Sequence, residues 1–545
     1  MNMATNPFHQ LDVIRKASQN GKIITDCYRL MYKRELWIKA YVKLYPNAGN
    51  LTKGTSEETI DGFYLQKIDE IIDQLKKGMF RFAPVRRAYI SKANGKKRPL
   101  GVPNFKDKLV QEVMRMILEN VYEPTFSDNS HGFREGRSCH TALSQIKNTW
   151  KGLTWCIEGA IKGFFDHIDH SVLINLISKR MNDHRFLLLI HNALASGVME
   201  NWTYQKTYSG TPQGGILSPL LANIYLHEFD IFLEKQIEKF DKEKLRARNK
   251  EYTKIHSEIR SLSRKVKSLD DRTGHRLWKG REKVIETIAE LKRKQIGISS
   301  VNPMDNDYQK MKYVRYADDF VIGIAGSKDC AVNIKETIKN FLKQELHLEL
   351  SEEKTLINHL ENPISFLGYE FRKWNEIKRT RVLYKNHKQR ALSRAIKLEI
   401  PKKKMKEFAI KNGYGNLDNF KSIHRAKLLN NSELEILCTY NAELRGIANY
   451  YKLANNYHHL DKLFYLAESS FIKTIANKRR STSMKVATSM RTHKQGVLCL
   501  VRKDQHNNEK LYQFVKLKDL PKHKGAIKVD TPEIDSYVNT MKYFG

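Results

Sequence analysis

Apolar residues recur at three- and four-residue spacing over 37–45 (WIKAYVKLY) and 58–76, and the spacing predicts helices separated by polar turns through residues 1–75. The period changes at Arg86. The segment RRAYISKANGKKRPLGV (86–102) alternates around Asn94-Gly95, a dipeptide that tolerates left-handed backbone, and predicts a hairpin of two basic strands. Helical spacing returns over 109–122. Residues 155–166 read as a strand leading into a helix at 170–180. In YVRYADDFVIGI (313–324), two apolar segments flank Ala317, Asp318 and Asp319, which predicts a hairpin turn projecting adjacent carboxylates from a sheet.

Two later regions have a different texture. Residues 231–300 alternate long polar stretches with isolated apolar positions, and 241–300 hold 18 Lys or Arg against 9 Asp or Glu. That pattern predicts an inserted helical arm rather than a second core, either gripping a polyanion or merely solvated. Beyond Phe371 a basic helical region follows, in which Leu444, Ile447, Tyr451 and Ala454 share one face, and residues 471–530 hold 15 Lys or Arg against 4 acidic residues.

Charge narrows the class of partner. The 545 residues carry a formal net charge of +36, far beyond what solubility asks of a surface, so the chain expects a polyanion. Six scattered cysteines, with no CxxC pair, argue against a zinc ribbon or a disulfide framework and for a reducing, cytoplasmic setting. No run of 18 apolar residues suggests a membrane span.

The carboxylate pair acquires its meaning from its surroundings. Hard divalent cations favour carboxylate oxygens, and two-metal phosphoryl transfer needs them beside the primer end and the triphosphate. The segments YISKANGKKRPLGVPNFKDKLVQ (89–111), SHGFREGRSCHTAL (130–143), IEGAIKGFFDHIDH (157–170), GTPQGGILSPLLANIYLHEFD (210–230), YADDF (316–320) and FLGYEF (366–371) stand in the block order of one family. On them the chain resembles a group II intron-encoded reverse transcriptase and maturase. YNAELRGIANYY (440–451) is similar to the maturase-specific thumb, which separates that family from retroviral and retron enzymes.

The resemblance implies an α+β, right-hand polymerase fold. Its parts would be an N-terminal extension (1–75), fingers and palm (76–370) with the insertion at 231–300, a helical thumb or maturase domain (371–480) and a DNA-binding region (481–545). It implies that Lys97, Arg98, Phe165, Gln213 and Lys354 surround the incoming nucleotide, with Phe165 obstructing a ribose 2′-hydroxyl and Gly214 and Gly215 allowing close backbone approach. Read alone, Phe165 is equally a core aromatic, Gln213 a turn residue and Lys354 a surface cation. Mg²⁺ would be held by Asp318, Asp319 and the backbone carbonyl of Ile161. The partners implied are group II intron RNA, target DNA and deoxynucleoside triphosphates, with the long polar helices equally suited to a homodimer interface. The tail, with Cys499, His493, His506 and His523 dispersed, reads as DNA-binding without the metal-bound endonuclease of many relatives.

One position breaks the family pattern. Where an acidic metal ligand belongs between Glu-Gly and Ile-Lys, the chain has Ala160. A methyl group cannot ligate a cation. Asp166 would lie roughly 20 Å along an extended strand, and Glu158 about 6 to 7 Å from the required place. The chain is therefore expected to be a very poor polymerase. A deliberate Asp→Ala inactivating change is the preferred explanation, and a naturally degenerate splicing maturase is the alternative. RNA binding needs no carboxylates and should survive.

Overall fold

A computed structural model of the chain describes residues 6–520, apart from 48, 50, 62, 92–94, 96, 201–202, 208, 212–213, 243–244, 274–279, 299, 303–304, 306, 375–381, 385–386, 390–394, 493–495 and 504–508. The fold is mixed α+β, as the sequence predicts.

Helices α1 (Pro7–Gln19), α2 (Arg34–Leu44) and α3 (Leu65–Lys76) open the chain. Asn6 caps α1 by accepting from the Phe8 amide at 2.9 Å, with Pro7 at the first position, where its missing N–H costs nothing. Their buried residues, among them Leu11, Trp37, Ile68 and Leu75, share one core with the apolar face of α4 (Phe105–Tyr122). The N-terminal segment is thus built into the main body. Between α3 and α4, β1 (Val85–Ser91) and β2 (Lys97–Val102) pair antiparallel from Arg86↔Val102 to Ser91↔Lys97, the expected hairpin. Gly95 has φ +77°, while Asn94 lies outside the described residues.

After α5 (Cys139–Thr149) comes β3 (Trp155–Ala160), shorter than the strand expected to reach residue 166. Gly163, at φ +55°, turns the chain into the short helix α6 (Phe164–His167), so distance cannot be extrapolated along a strand to Asp166. Then follow α7 (His170–Ser178), α8 (His184–Leu194), β4 (Val198–Glu200) and β5 (Thr203–Gln205), the last two extending the hairpin into a sheet of order β2-β1-β4-β5.

Helix α9 (Ser218–Phe240) corrects the expected start of the insertion at 231. Leu233 is fully buried, and Ile237 and Phe240 pack on the main core, so burial of that apolar stripe keeps 231–240 in the body. The arm proper is α10 (Lys250–Thr273) and α11 (Arg281–Ile296), joined by a private cluster of Ile255, Ile259 and Ile288.

The second sheet positions the site. Strands β6 (Lys310–Tyr316) and β7 (Asp319–Ala325) form a hairpin, α12 (Lys328–Glu345) follows, and β8 (Leu356–His359) completes the antiparallel order β6-β7-β3-β8. Residues beyond 371 are less purely helical than expected. Strands β9 (Ile364–Phe366) and β10 (Tyr369–Lys373) lead into this region, and the hairpin β11 (Val382–Tyr384) with β12 (His387–Gln389) and then β13 (Ile396–Glu399) follow before its first helix, β13-β10-β9 forming a sheet.

Helix α13 (Lys402–Lys411), the small hairpin β14 (Gly415–Asn416) and β15 (Lys421–Ser422), and helices α14 (Glu433–Tyr450), α15 (Leu460–Lys478) and α16 (Ser483–Arg491) follow. Leu444, Ile447, Tyr451 and Ala454 are all buried, as their spacing predicts, although the last two lie just past the end of α14. The hairpin β16 (Cys499–Lys503) and β17 (Glu509–Gln513) closes the described chain. Leu498, Leu500, Phe514 and Val515 share the core of α14 and α15, and Asn441 both donates to the Gln513 carbonyl at 2.8 Å and accepts from the Val515 amide at 2.9 Å. No disulfide joins any of the six cysteines. Among the described residues no helix is long and apolar enough to cross a membrane.

Candidate active site

Pairing of Tyr316 with Asp319 leaves Ala317 and Asp318 as a two-residue turn between β6 and β7. Ala317 takes φ +55°, the positive value that lets a tight turn follow the twist of its strands. Asp318 and Asp319 thus leave the sheet side by side. Burial pushes the Asp318 carboxyl above the ordinary range, and its own backbone amide, Lys354, Arg98 and Arg315 pull it back. Asp319 is raised by burial and then by the charge of Asp318, with Lys354 opposing.

Ala160 sits in direct register with Asp319 across the β3–β7 ladder and is 6% exposed. Side chains of directly paired residues share a face, with Cβ atoms about 4.5–5.5 Å apart, so this methyl faces the carboxylate pair. Glu158 does not replace the missing acid. Its Oε1 accepts from Asn358 Nδ2 at 2.5 Å, and a backbone amide at Ser365 also bonds it. Asp166 lies in α6, outside the β3 strand that carries position 160, with its carbonyl accepting from Ser209 Oγ at 3.2 Å.

The remaining expected residues converge unevenly. Lys354 is carried by a turn stitched to the end of β3, where the Ser351 amide donates to the Ala160 carbonyl at 2.8 Å and Lys162 to the Glu349 carbonyl at 2.9 Å. Ile161, bridged to Leu350, has a carbonyl that accepts no hydrogen bond among the described residues. Arg98 reaches Asp318 electrostatically from β2, whereas Lys97, one residue earlier, alternates to the other face, both positions being exposed. Phe165 is partly buried against Phe164, ring centroids 5.3 Å apart, and its carbonyl accepts from the Thr211 amide at 2.7 Å. That bond brings Thr211 beside α6. Gln213 itself lies outside the described residues. Gly214, at φ +113°, approaches the backbone of β2: a Cβ there would sit 2.9 Å from the Gly101 carbonyl oxygen.

A brace behind the turn escaped the sequence reading. Arg315 and Asp230 are both 0% exposed; Arg315 Nε and Nη2 donate to the Asp230 carboxylate at 2.8 and 2.5 Å. The same guanidinium donates to the Ala317 carbonyl at 3.1 Å, Asn223 Oδ1 at 3.2 Å and Ser130 Oγ at 2.7 Å. Arg315 therefore joins the turn to α9 and the 127–137 loop. An arginine inside the apolar run of β6, and an aspartate in the apolar run of α9, were the available signals.

The donor set can be tested against a metal centre. Two adjacent carboxylates, Asp318 half-buried and Asp319 at an exposed position, both raised above the ordinary range, suit a hard divalent cation. A pair of ions needs more, and the facing position holds a methyl; among the described residues no group of three or more His, Cys, Asp or Glu could hold a metal. The residues present do not complete a two-ion clamp.

The family Reverse transcriptase (RNA-dependent DNA polymerase) matches residues 90–249 and 295–371, stepping over the arm, and Type II intron maturase matches 393–538. Group II intron-encoded protein LtrA of Lactococcus lactis subsp. cremoris is 44% identical over 484 residues, covering 87% of this chain and 78% of the relative. The chain belongs to the group II intron-encoded proteins. Two fungal relatives are more distant. The uncharacterized 91 kDa protein in cob intron of Schizosaccharomyces pombe is 35% identical, covering 88% of this chain and 58% of its own length. The putative COX1/OXI3 intron 1 protein of Saccharomyces cerevisiae is 32% identical, covering 87% and 55%. By family the chain is a reverse transcriptase joined to a maturase, a class of polymerase that acts with divalent metal ions and binds intron RNA.

Proposed function

We propose that this chain promotes splicing by binding its group II intron RNA, while its target-primed DNA synthesis is disabled at Ala160. The pairing of Ala160 with Asp319 carries the reading, because it leaves a methyl where the metal-binding face wants a third carboxylate. With aspartate at 160, Mg²⁺ would be held by that residue, Asp318, Asp319 and the Ile161 carbonyl. Arg98 and Lys354 would neutralise the triphosphate of an incoming deoxynucleotide, with Phe165 and Gln213 lining its sugar and base. Losing a group that stabilises charge in the transition state costs about 10²-fold or more.

RNA binding draws on other surfaces. The N-terminal segment, the basic arm and the exposed Lys402, Lys403 and Lys404 supply cations for phosphates, and the three lysines open α13, the end where a helix dipole favours anions. Target DNA would engage 481–545 together with RNA pairing. The test assays cognate intron splicing and Mg²⁺-dependent primer extension on an RNA template, for this chain and its Ala160→Asp variant. Equal splicing, with extension in the variant alone, is the expected result. Extension by neither would instead favour a dedicated splicing maturase.

A further inference from the structure

Phe133 combines features that packing alone does not explain. The residue is 53% exposed, and its φ is +58°, a conformation a bulky residue adopts only when its surroundings impose it. The ring lies beside the carboxylate turn, 6.5 Å between centroids from Tyr316. The preceding Gly132 packs so closely there that a Cβ would collide with the Ala317 backbone nitrogen.

The loop is held from beneath on both sides of the ring. Asn223 Nδ2 donates to the Gly132 carbonyl at 2.7 Å, and the His131 amide donates to the Arg315 carbonyl at 2.9 Å. Arg134 Nη1 donates to the carbonyls of Ser127 and Ser130 at 2.5 and 2.8 Å. Arg315, which fixes Ser130 and Asn223, also holds the Ala317 carbonyl. One buried hub therefore sets both the exposed ring and the carboxylates.

We propose that Phe133 packs against the base and sugar of the terminal primer nucleotide in an RNA–DNA duplex seated at Asp318 and Asp319. The reading of that turn as the polymerase turn is its foundation. A phosphate is a poor occupant for an apolar ring beside two carboxylates, and phosphate charge is left to Arg98 and Lys354. Aromatic contact with a base tolerates any sequence, as copying an arbitrary template requires.

Fluorescence anisotropy with a labelled DNA primer annealed to an RNA template tests the contact on the chain carrying Ala160, with no extension needed. Phe133→Ala should weaken duplex binding about tenfold, and Phe133→Tyr should keep it within about twofold. Phe133→Gly, which suits the positive φ and preserves the loop, should weaken it as much as alanine, because the ring and not the loop makes the contact. Intron RNA binding should be unchanged in all three. Parent-like duplex binding by Phe133→Gly would overturn the proposal, as would an equal loss of intron RNA binding. Failure of Ala160→Asp to extend a primer would count against the proposed function while leaving this binding comparison intact.

Discussion

The β6–β7 turn and the α10–α11 arm are both polar excursions from apolar elements, and they are held in opposite ways. The turn is fixed by a fully buried ion pair, a carbonyl bond from the same guanidinium and a glycine packed on its backbone. Among the described residues the arm rests on buried Ile255, Ile259 and Ile288, the apolar side chains packed against them, and the Arg281–Asp270 ion pair at 3.0 Å. A turn that must place carboxylates to within tenths of an ångström is over-determined by the whole body. An arm with a cluster of its own can keep its stability local.

Breaking the turn's support should produce the largest effect. Arg315→Ala leaves the Asp230 carboxylate buried without its partner and should cost about 3–5 kcal/mol in urea unfolding, whereas replacing both residues by apolar ones should recover most of it. Acid should loosen the same loop. Burial holds His131 down at about 4 against 6.5, with Gln145 opposing the shift and Arg137, Arg134 and Arg315 adding to it; Thr141 Oγ1 is hydrogen-bonded to its other ring nitrogen. A group depressed in the folded state contributes its full stability above the unfolded value. That stability, about 3 kcal/mol, should fade as pH falls from 6.5 towards 4, and a His131→Asn variant should show a flatter melting profile across that window.

The arm should respond least at the global level. Ile259→Ala should shift overall unfolding by less than about 0.5 kcal/mol yet abolish amide-exchange protection along α10 and α11. A matching global loss would show that the arm is coupled to the body and erase the contrast.

Legibility followed the same division. The hairpin at 86–102 and the carboxylate turn were readable because alternation and turn residues are local signals, as were the buried positions around Leu444. The early end of β3 was not, since Gly163 was one glycine among many and only its left-handed φ marks the bend. The continuation of α9 past 231 was hidden because Leu233, Ile237 and Phe240 sit among charged residues whose exposure depends on what packs nearby. The hub of Arg315, Asp230, Asn223 and Ser130 joins segments far apart in sequence, so no local pattern announces it. The absent carboxylate was visible from the block pattern, but its placement opposite Asp319 required the sheet register.

The central claim is that a methyl at 160 deprives the Asp318–Asp319 face of charge. The most direct test compares Mg²⁺-dependent primer-extension rates of the chain with those of Ala160→Asp and Ala160→Asn. A gain of about 10²-fold or more with aspartate and little with asparagine is the predicted result; extension by the unaltered chain at the aspartate variant's rate would contradict it.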